Sequence, residues 1–335
     1  MILIITCEED IHPNGVIEQL EVLSVPYFRL NTEYLLRDYN IHISMDNDES
    51  NFVIEHKTAG HKISNNDITA VWERRPIEPI CLLDEGFSPQ IEEMVLKEAD
   101  DFLKYFRYSL NDVFWIGNPI KERKGSSKIW QMQIAKKVGF DIPTTVYSND
   151  LSKTIQQFED QNIAIKPVTA DGIMGNDKEV IFYTKKIPFK EFKETNEIGF
   201  RNNINHIESY AEKKYELRIT YVKDEAFACK IDSQVKENDK GRIDWREGYD
   251  HEISFTPIEL PVEINKKCEA FLEEVECNFG CFDIIFTEND EYVFLECNLN
   301  GQWLWIEEET GLEISKKIAQ VFSKEFETKN LGIKC

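Results

Sequence analysis

Asp283 interrupts the apolar run Cys281-Phe-Asp-Ile-Ile-Phe-Thr287, and a carboxylate there restricts the folds open to this 335-residue chain more than any other single residue. A charge facing a core without a partner is too costly to keep, so this strand must carry one face that is not core. A second apolar stretch, Glu291 to Glu296, follows the turn-prone Glu288-Asn289-Asp290, and the pair reads as a hairpin. With Asn289-Asp290 as a two-residue loop, Asp283 falls directly opposite Glu296, with Cβ atoms about 4.5–5.5 Å apart. Carboxylates at that separation repel, so something positive belongs between them. Asn298, two residues further on, shares the face of Glu296, whereas Cys297 points the other way. Oxygen donors of this kind suit Mg2+, a hard ion held by one or two carboxylates together with substrate phosphates. The competing reading is an exposed polar hairpin face, and the apolar setting of Asp283 counts against it.

Other segments carry charge in places that need explaining. In Glu216-Leu-Arg-Ile-Thr-Tyr-Val222, polar Glu216, Arg218 and Thr220 alternate with apolar neighbours, a half-buried strand with one polar face. Glu216 with Arg218 could be a surface ion pair of little energetic value, unless that face looks toward the metal. Lys166 lies in the apolar run Ile163-Ala-Ile-Lys-Pro-Val168 and shares a face with Ala164 and Val168, where it requires an anion. That anion is either a structural carboxylate or a phosphate under the small-residue loop Thr169-Ala-Asp-Gly-Ile-Met-Gly175. Lys121 to Lys137 holds six basic residues and one acidic one in an otherwise acidic protein. Because Gly125, Ser126 and Ser127 precede an apolar-periodic segment, its lysines gather at a helix entrance, a sound place for phosphate. Gly241-Arg-Ile-Asp-Trp-Arg246 sets an aromatic among charges in a loop, either a substrate site or a capped loop.

The first hundred or so residues alternate apolar runs with helical patterns, as a layered α/β unit does. Ile2 to Thr6, Tyr27 to Leu30, Phe52 to Glu55, Ile68 to Glu73 and Phe114 to Ile116 are the predicted strands. Ile91, Met94, Val95, Ala99, Phe102, Leu103, Phe106 and Leu110 recur at helical spacing and are predicted to form a core stripe. A smaller α/β segment follows, with strands Thr144 to Tyr147, Ile163 to Val168 and Glu179 to Tyr183. The net charge of -23, from 39 Lys+Arg against 62 Asp+Glu, argues against broad binding to nucleic acid or to an anionic membrane. Eight irregularly spaced cysteines without a CxxC pair suit reduced thiols rather than a disulfide framework or a zinc site. No 18-residue apolar run occurs, and MILIITCEED lacks the basic start of a signal peptide, so a cytoplasmic location is expected.

Taken in order, Lys128 before a helix, Lys166 at a strand end, Glu208 to Ala211 followed by Glu216-Leu-Arg218, and Asp283 with Glu296-Cys-Asn298 resemble the ATP-grasp superfamily. Trp72-Glu-Arg-Arg-Pro76, Asp244-Trp-Arg246 and Glu296-Cys-Asn-Leu-Asn-Gly-Gln-Trp-Leu-Trp-Ile306 make the chain look more narrowly like the graspetide synthetases, the microviridin-type peptide maturases. The resemblance spans residues 1 to about 325. It implies an α/β (α+β) ATP-grasp fold: an N-terminal pre-ATP-grasp domain over 1–118, a central lid over 119–205, and a C-terminal antiparallel-sheet domain over 206–335. It implies ATP and Mg2+, with Lys128 and Lys166 on the phosphates and Glu208, Ser209, Tyr210 and Ala211 as the adenine hinge. Glu216 would bind the ribose, Asp283, Glu296 and Asn298 the metal, while Arg218 stabilises the γ-phosphate and Arg246 adds a second cation. Glu208-Ser209 stands where the family more often has Gln-Glu, so adenine contacts are expected from the backbone.

The implied reaction is activation of Asp or Glu side chains of a ribosomal precursor peptide as acyl phosphates, then attack by a Thr/Ser hydroxyl or Lys amine to close a macrocyclic ester or amide. The implied partner is a leader-plus-core precursor peptide, and relatives suggest a homodimer. The alternatives are an amino-acid ligase of the glutamate-ligase type, a small-molecule kinase on the same fold, and a catalytically silent peptide-binding protein. Leader recognition is expected in Phe189 to Asn205, where Phe189, Phe192, Ile198 and Phe200 stand among charges; the bland alternative is a helix packed on its own domain.

Overall fold

The computed structural model describes residues 1–81, 88–158, 161–168, 172–174, 179–234, 239–248 and 253–331. The chain divides into two compact units, one of Met1–Pro119 with Glu313–Cys335 and one of Ile120–Leu312.

In the first unit Tyr27–Asn31, Ile2–Thr6, Ala70–Glu73 and Phe114–Ile116 form, in that order, a parallel sheet. Every residue of Ile2–Thr6 is buried, as befits a central parallel strand covered on both faces. The segment predicted at Phe52 to Glu55 instead joins a separate antiparallel sheet of Tyr39–Met45, Ser50–His56 and Lys62–Ser64. Helix Pro89–Ser109 follows the predicted stripe in part. Ala99, Leu103, Phe106 and Leu110 are buried, but Ile91 and Met94 are 39% and 55% exposed, so the first two turns run beyond the core. Helix Ile314–Asn330, which the sequence grouped with the third domain, belongs to this first unit. Its Ile314, Ile318 and Phe322 are buried, and the Phe322 ring meets Trp72 and Phe114. No described helix is long and apolar enough to cross a membrane.

The second unit holds two larger antiparallel sheets. The smaller runs Lys185–Ile187, Ile163–Lys166, Asn205–Ser209, Thr145–Ser148, and Gly172–Met174 pairs separately with Glu179–Ile181. Its core gathers Leu151, Phe158, Ile163, Phe189, Phe192, Phe200 and Ile207. The larger has five strands in the order Ser254–Ile258, Glu225–Asp232, Lys213–Val222, Phe279–Thr287, Tyr292–Asn298. Leu217, Ile219, Tyr221, Phe282, Ile284 and Phe294 point to one face, where helices Lys128–Lys137 and Val262–Val275 cover them. Period-two alternation therefore commits Glu216, Arg218, Thr220 and Asp283 to the opposite face.

Candidate active site

The hairpin Phe279–Thr287 and Tyr292–Asn298 pairs Asp283 with Glu296 as expected, but by another route. Its loop has three residues: Asp290 N–H donates to Thr287 O at 3.1 Å, Thr287 N–H to Glu291 O at 2.9 Å, and Asp290 is left-handed with φ 64°. This loop sets Ile284 opposite Phe294, and a bulge at Leu295 then restores the Asp283–Glu296 pair. Strict alternation would give Phe294 the face of Glu296. The bulge lets Phe294 stay in the core while Leu295, Glu296 and Asn298 all reach the other side.

Three neighbouring strands thereby carry Arg218, Asp283 and Glu296 side by side in one transverse row. Arg218 Nη1 donates to both Asp283 oxygens at 2.9 and 2.8 Å, and Nη2 to Gln302 O at 3.0 Å. That last bond needs Gly301, because a Cβ there would lie 2.5 Å from Cys281 Cβ and 3.1 Å from Arg218 Nη2. Lys128 is the first residue of helix Lys128–Lys137, whose N-cap Ser127 accepts from Trp130 N–H, and its Nζ is 2.9 Å from Glu296 Oε2. Burial lifts the Asp283 carboxyl above its ordinary range; Arg218 opposes the lift and the charge on Glu296 adds to it. Burial also disfavours charged Glu296, yet Lys128, with Lys166 and Arg218 behind it, holds that carboxyl below its ordinary value.

The smaller sheet contributes a second buried group of charges. Lys166 Nζ lies 2.6 Å from Glu208 Oε2, and His206 Nε2 lies 2.8 Å from Glu208 Oε1. Burial pushes Glu208 up, but Lys166 and His206 outweigh it and bring the carboxyl to about 2. Burial works against the Lys166 ammonium, and Glu208 more than offsets it. Glu208 thus serves as the counter-ion of Lys166. Next to it Ser209 N–H donates to Thr144 O at 2.9 Å and Tyr210 N–H to Asn162 O at 2.8 Å, so neither amide is available to a base. Glu216 accepts from Lys213 Nζ at 2.8 Å and Ser233 Oγ at 3.0 Å, and burial raises its carboxyl against the pull of Lys213.

These groups open on one cavity of about 350 Å³ inside the second unit. Lys128, Lys166, Glu208, Ser209, Tyr210, Ala211, Glu216, Arg218, Arg246, Asp283, Glu296 and Asn298 all line it, as the sequence analysis grouped them. The loop Thr169 to Gly175 is described only at 172–174; the rest of that predicted phosphate loop lies outside the described residues. Asp244 and Arg246 pair at 2.9 and 2.8 Å, and Trp245 packs against Trp305 with ring centroids 5.1 Å apart. Sequence reasoning did not assign Lys213, Leu295 or Trp305 to the site. Only the Trp305 motif signalled it, since Leu295 enters through the bulge and Lys213 reads as a surface lysine. Among the described residues no group of three or more His, Cys, Asp and Glu could hold a metal. Asp283, Glu296 and the Asn298 amide form instead a partial oxygen set of the kind Mg2+ accepts when phosphates and water complete its shell. The Asp283–Glu296 repulsion is what a divalent cation would relieve, so the residues fit the ion.

A family model described as the MvdD pre-ATP grasp domain matches residues 1–123. A RiPP-associated ATP-grasp ligase of Chryseobacterium gregarium, solved with ADP and a leader and core peptide, superposes with a TM-score of 0.86 at 26% identity, covering 97% of this chain and 96% of that one. The chain has the ATP-grasp fold and is an ATP-dependent ligase. Macrocyclase MdnC from Microcystis aeruginosa MRC, bound with precursor peptide MdnA, matches the ligase with a TM-score of 0.79 at 25% identity over 97% and 99% of the two chains. ATP-grasp ligase PsnB, complexed with a precursor variant, Mg and ADP, shares the fold with a TM-score of 0.70 at 15% identity over 97% and 98%. No curated protein matches.

In Trp72 to Pro76, Glu73 and Arg74 are engaged within the first unit, where Arg107 Nε donates to Glu73 at 2.8 Å and Arg74 Nε lies 3.1 Å from Asp10. In the segment read as a leader site, Phe189, Phe192 and Phe200 are buried in the core of their own sheet and only Ile198 is exposed, at 66%. The spacing of those phenylalanines records packing.

Proposed function

We propose that this ligase is an ATP-dependent peptide macrocyclase acting on a ribosomal precursor peptide. The observation that carries the reading is the convergence of Lys128, Lys166, Arg218 and the Asp283–Glu296 pair on one cavity. Lys128 and Lys166 hold the ATP phosphates, and Arg218, fixed by Asp283 and Gln302, meets the charge that builds on the transferred phosphoryl group. Ser209 to Ala211 border the base and Glu216 binds the ribose. Asp283, Glu296 and Asn298 would hold Mg2+, which supplies further neutralisation of phosphate charge when bound.

The γ-phosphoryl group passes to an Asp or Glu side-chain carboxylate of the peptide as its bond to the ADP oxygen breaks. A Thr or Ser hydroxyl, or a Lys amine, of the same peptide then attacks the acyl carbon, loses its proton and expels phosphate. The protein needs no nucleophile of its own. Positioning and fixed positive charge do the work, with Arg246 and the Trp245–Trp305 wall on the peptide side. The peptide partner accords with the leader and core peptides bound by the C. gregarium ligase and the precursor bound by MdnC. On the same reading the enzyme works as a cytoplasmic homodimer.

Mass spectrometry of a candidate precursor incubated with the protein and Mg-ATP tests this. Each ring should remove the mass of one water, with ADP formed in proportion. A stable phosphorylated product would instead establish a kinase, and a gain of one amino-acid residue a free amino-acid ligase.

A further inference from the structure

We propose that Gln131, which lies outside the residues that touch nucleotide or metal, is a positioning residue for the metal-facing strand. The proposal rests on the reading of Glu296 and Asn298 as Mg2+ ligands. Tyr292–Asn298 is an edge strand of the five-stranded sheet, so the outer backbone groups of every second residue have no strand to pair with. Cys297 stands between the two ligand residues. Its N–H donates to Gln131 Oε1 at 2.9 Å, and its carbonyl accepts from Gln131 Nε2 at 2.7 Å. One carboxamide thus supplies both bonds that a neighbouring strand would make. Gln131 is 3% exposed, and its Nε2 donates also to Gly125 O at 2.6 Å, which ties the side chain to the last residue of the preceding helix.

The clamp acts where the strand is least regular. Leu295 bulges out of the ladder, and a bulge without support is free to slide or relax. On one side of it Phe294 N–H is held by Asp141 O at 2.9 Å, and on the other Cys297 is held by Gln131. Glu296 therefore leaves a backbone fixed at both ends. Lys128 stands three residues before Gln131 on the same helix and pairs with the Glu296 carboxylate itself. The helix that brings a phosphate lysine thus also sets the backbone of two metal ligands, so nucleotide and metal sites share one support.

The test measures ADP affinity by calorimetry with and without Mg2+ for wild type, Gln131→Met and Glu296→Gln. Methionine keeps the volume of the side chain and removes all three hydrogen bonds. Gln131→Met should lose about tenfold of the Mg2+-dependent gain in ADP affinity while metal-free ADP affinity stays unchanged. Amide hydrogen exchange at Cys297 should accelerate in the same variant. Should Gln131→Met not fold, Gln131→Asn, which keeps the amide but shortens its reach, should show the same selective loss. Equal losses with and without metal would reduce Gln131 to a packing residue, and no loss would overturn the proposal outright. An intact Mg2+ gain in Glu296→Gln would overturn the metal reading together with it, whereas a loss there and none in Gln131→Met would sink the Gln131 role alone.

Discussion

Two sheets line the cavity, and they hold charge in different ways. In the five-stranded sheet, Arg218, Asp283 and Glu296 sit on three adjacent strands, so backbone ladders set their spacing and two helices back them from the core side. In the smaller sheet, Lys166 pairs directly with Glu208, which is itself steadied by His206 over a core of a few aromatic and aliphatic side chains. The first arrangement is a scaffold that keeps its geometry when one side chain changes. The second is a chain of pairings in which each member holds the next. Chemistry that requires fixed geometry is expected from the row, and capture of nucleotide from the pairings.

The sharpest way to break this contrast is Glu296→Gln, which should lower ring formation by roughly 100-fold or more because it removes a charge from the row without disturbing the ladder. Single-turnover assays on the precursor measure the loss, and an unchanged circular-dichroism spectrum should accompany it. Wild-type turnover would show that the row is not where the chemistry happens. Lys166→Ala should weaken ATP binding by about tenfold and, by leaving Glu208 buried without its main partner, lower stability by about 3 kcal/mol. Adding Glu208→Gln should recover much of the stability and none of the affinity. An ATP affinity equal to wild type would leave Lys166 a purely structural ion pair.

The Glu208 pairing can also be tested on its own, through pH. The Glu208 carboxyl lies at about 2 in the folded protein against an ordinary 4.5, so its contribution is complete above 4.5 and disappears as pH falls toward 2. Glu208→Gln should be less stable than wild type by about 3 kcal/mol near neutral pH, and the gap should close as pH drops through that window. Urea denaturation at several pH values measures the gap, and a constant one would show that Glu208 gains nothing from Lys166 and His206.

Much of the site was legible because β-strand alternation needs only sequence. Glu216, Arg218 and Thr220 declare a polar face against Leu217, Ile219 and Tyr221, and the structure buries that second set. The Asp283–Glu296 pair was reached through a two-residue turn that does not exist; the longer loop and the bulge offset each other. A bulge leaves no pattern in a short apolar strand, so Leu295 could not be foreseen in the cavity. Gln131 was invisible for a different reason: a single polar residue on a helix announces nothing until the edge strand beside it is known. The exposed Ile91 and Met94 and the buried Phe189, Phe192 and Phe200 share a lesson, since apolar periodicity reports which residues lie on one face and not what covers it.

The bulge at Leu295 also bears on how the sequence of such a strand can vary in length. Removing a residue from a regular strand inverts every side chain beyond it, so strands ordinarily tolerate no gaps. Here the residue is already surplus to the ladder: without it Phe294 would still face the core, Glu296 the cavity and Cys297 the core again. A one-residue gap at this point in an aligned relative would therefore not mark a misplaced motif. It would mark a ligase that keeps the same carboxylate pair and lacks only the apolar side chain beside it, a natural place for the cavity wall to be tuned without touching the acidic pair.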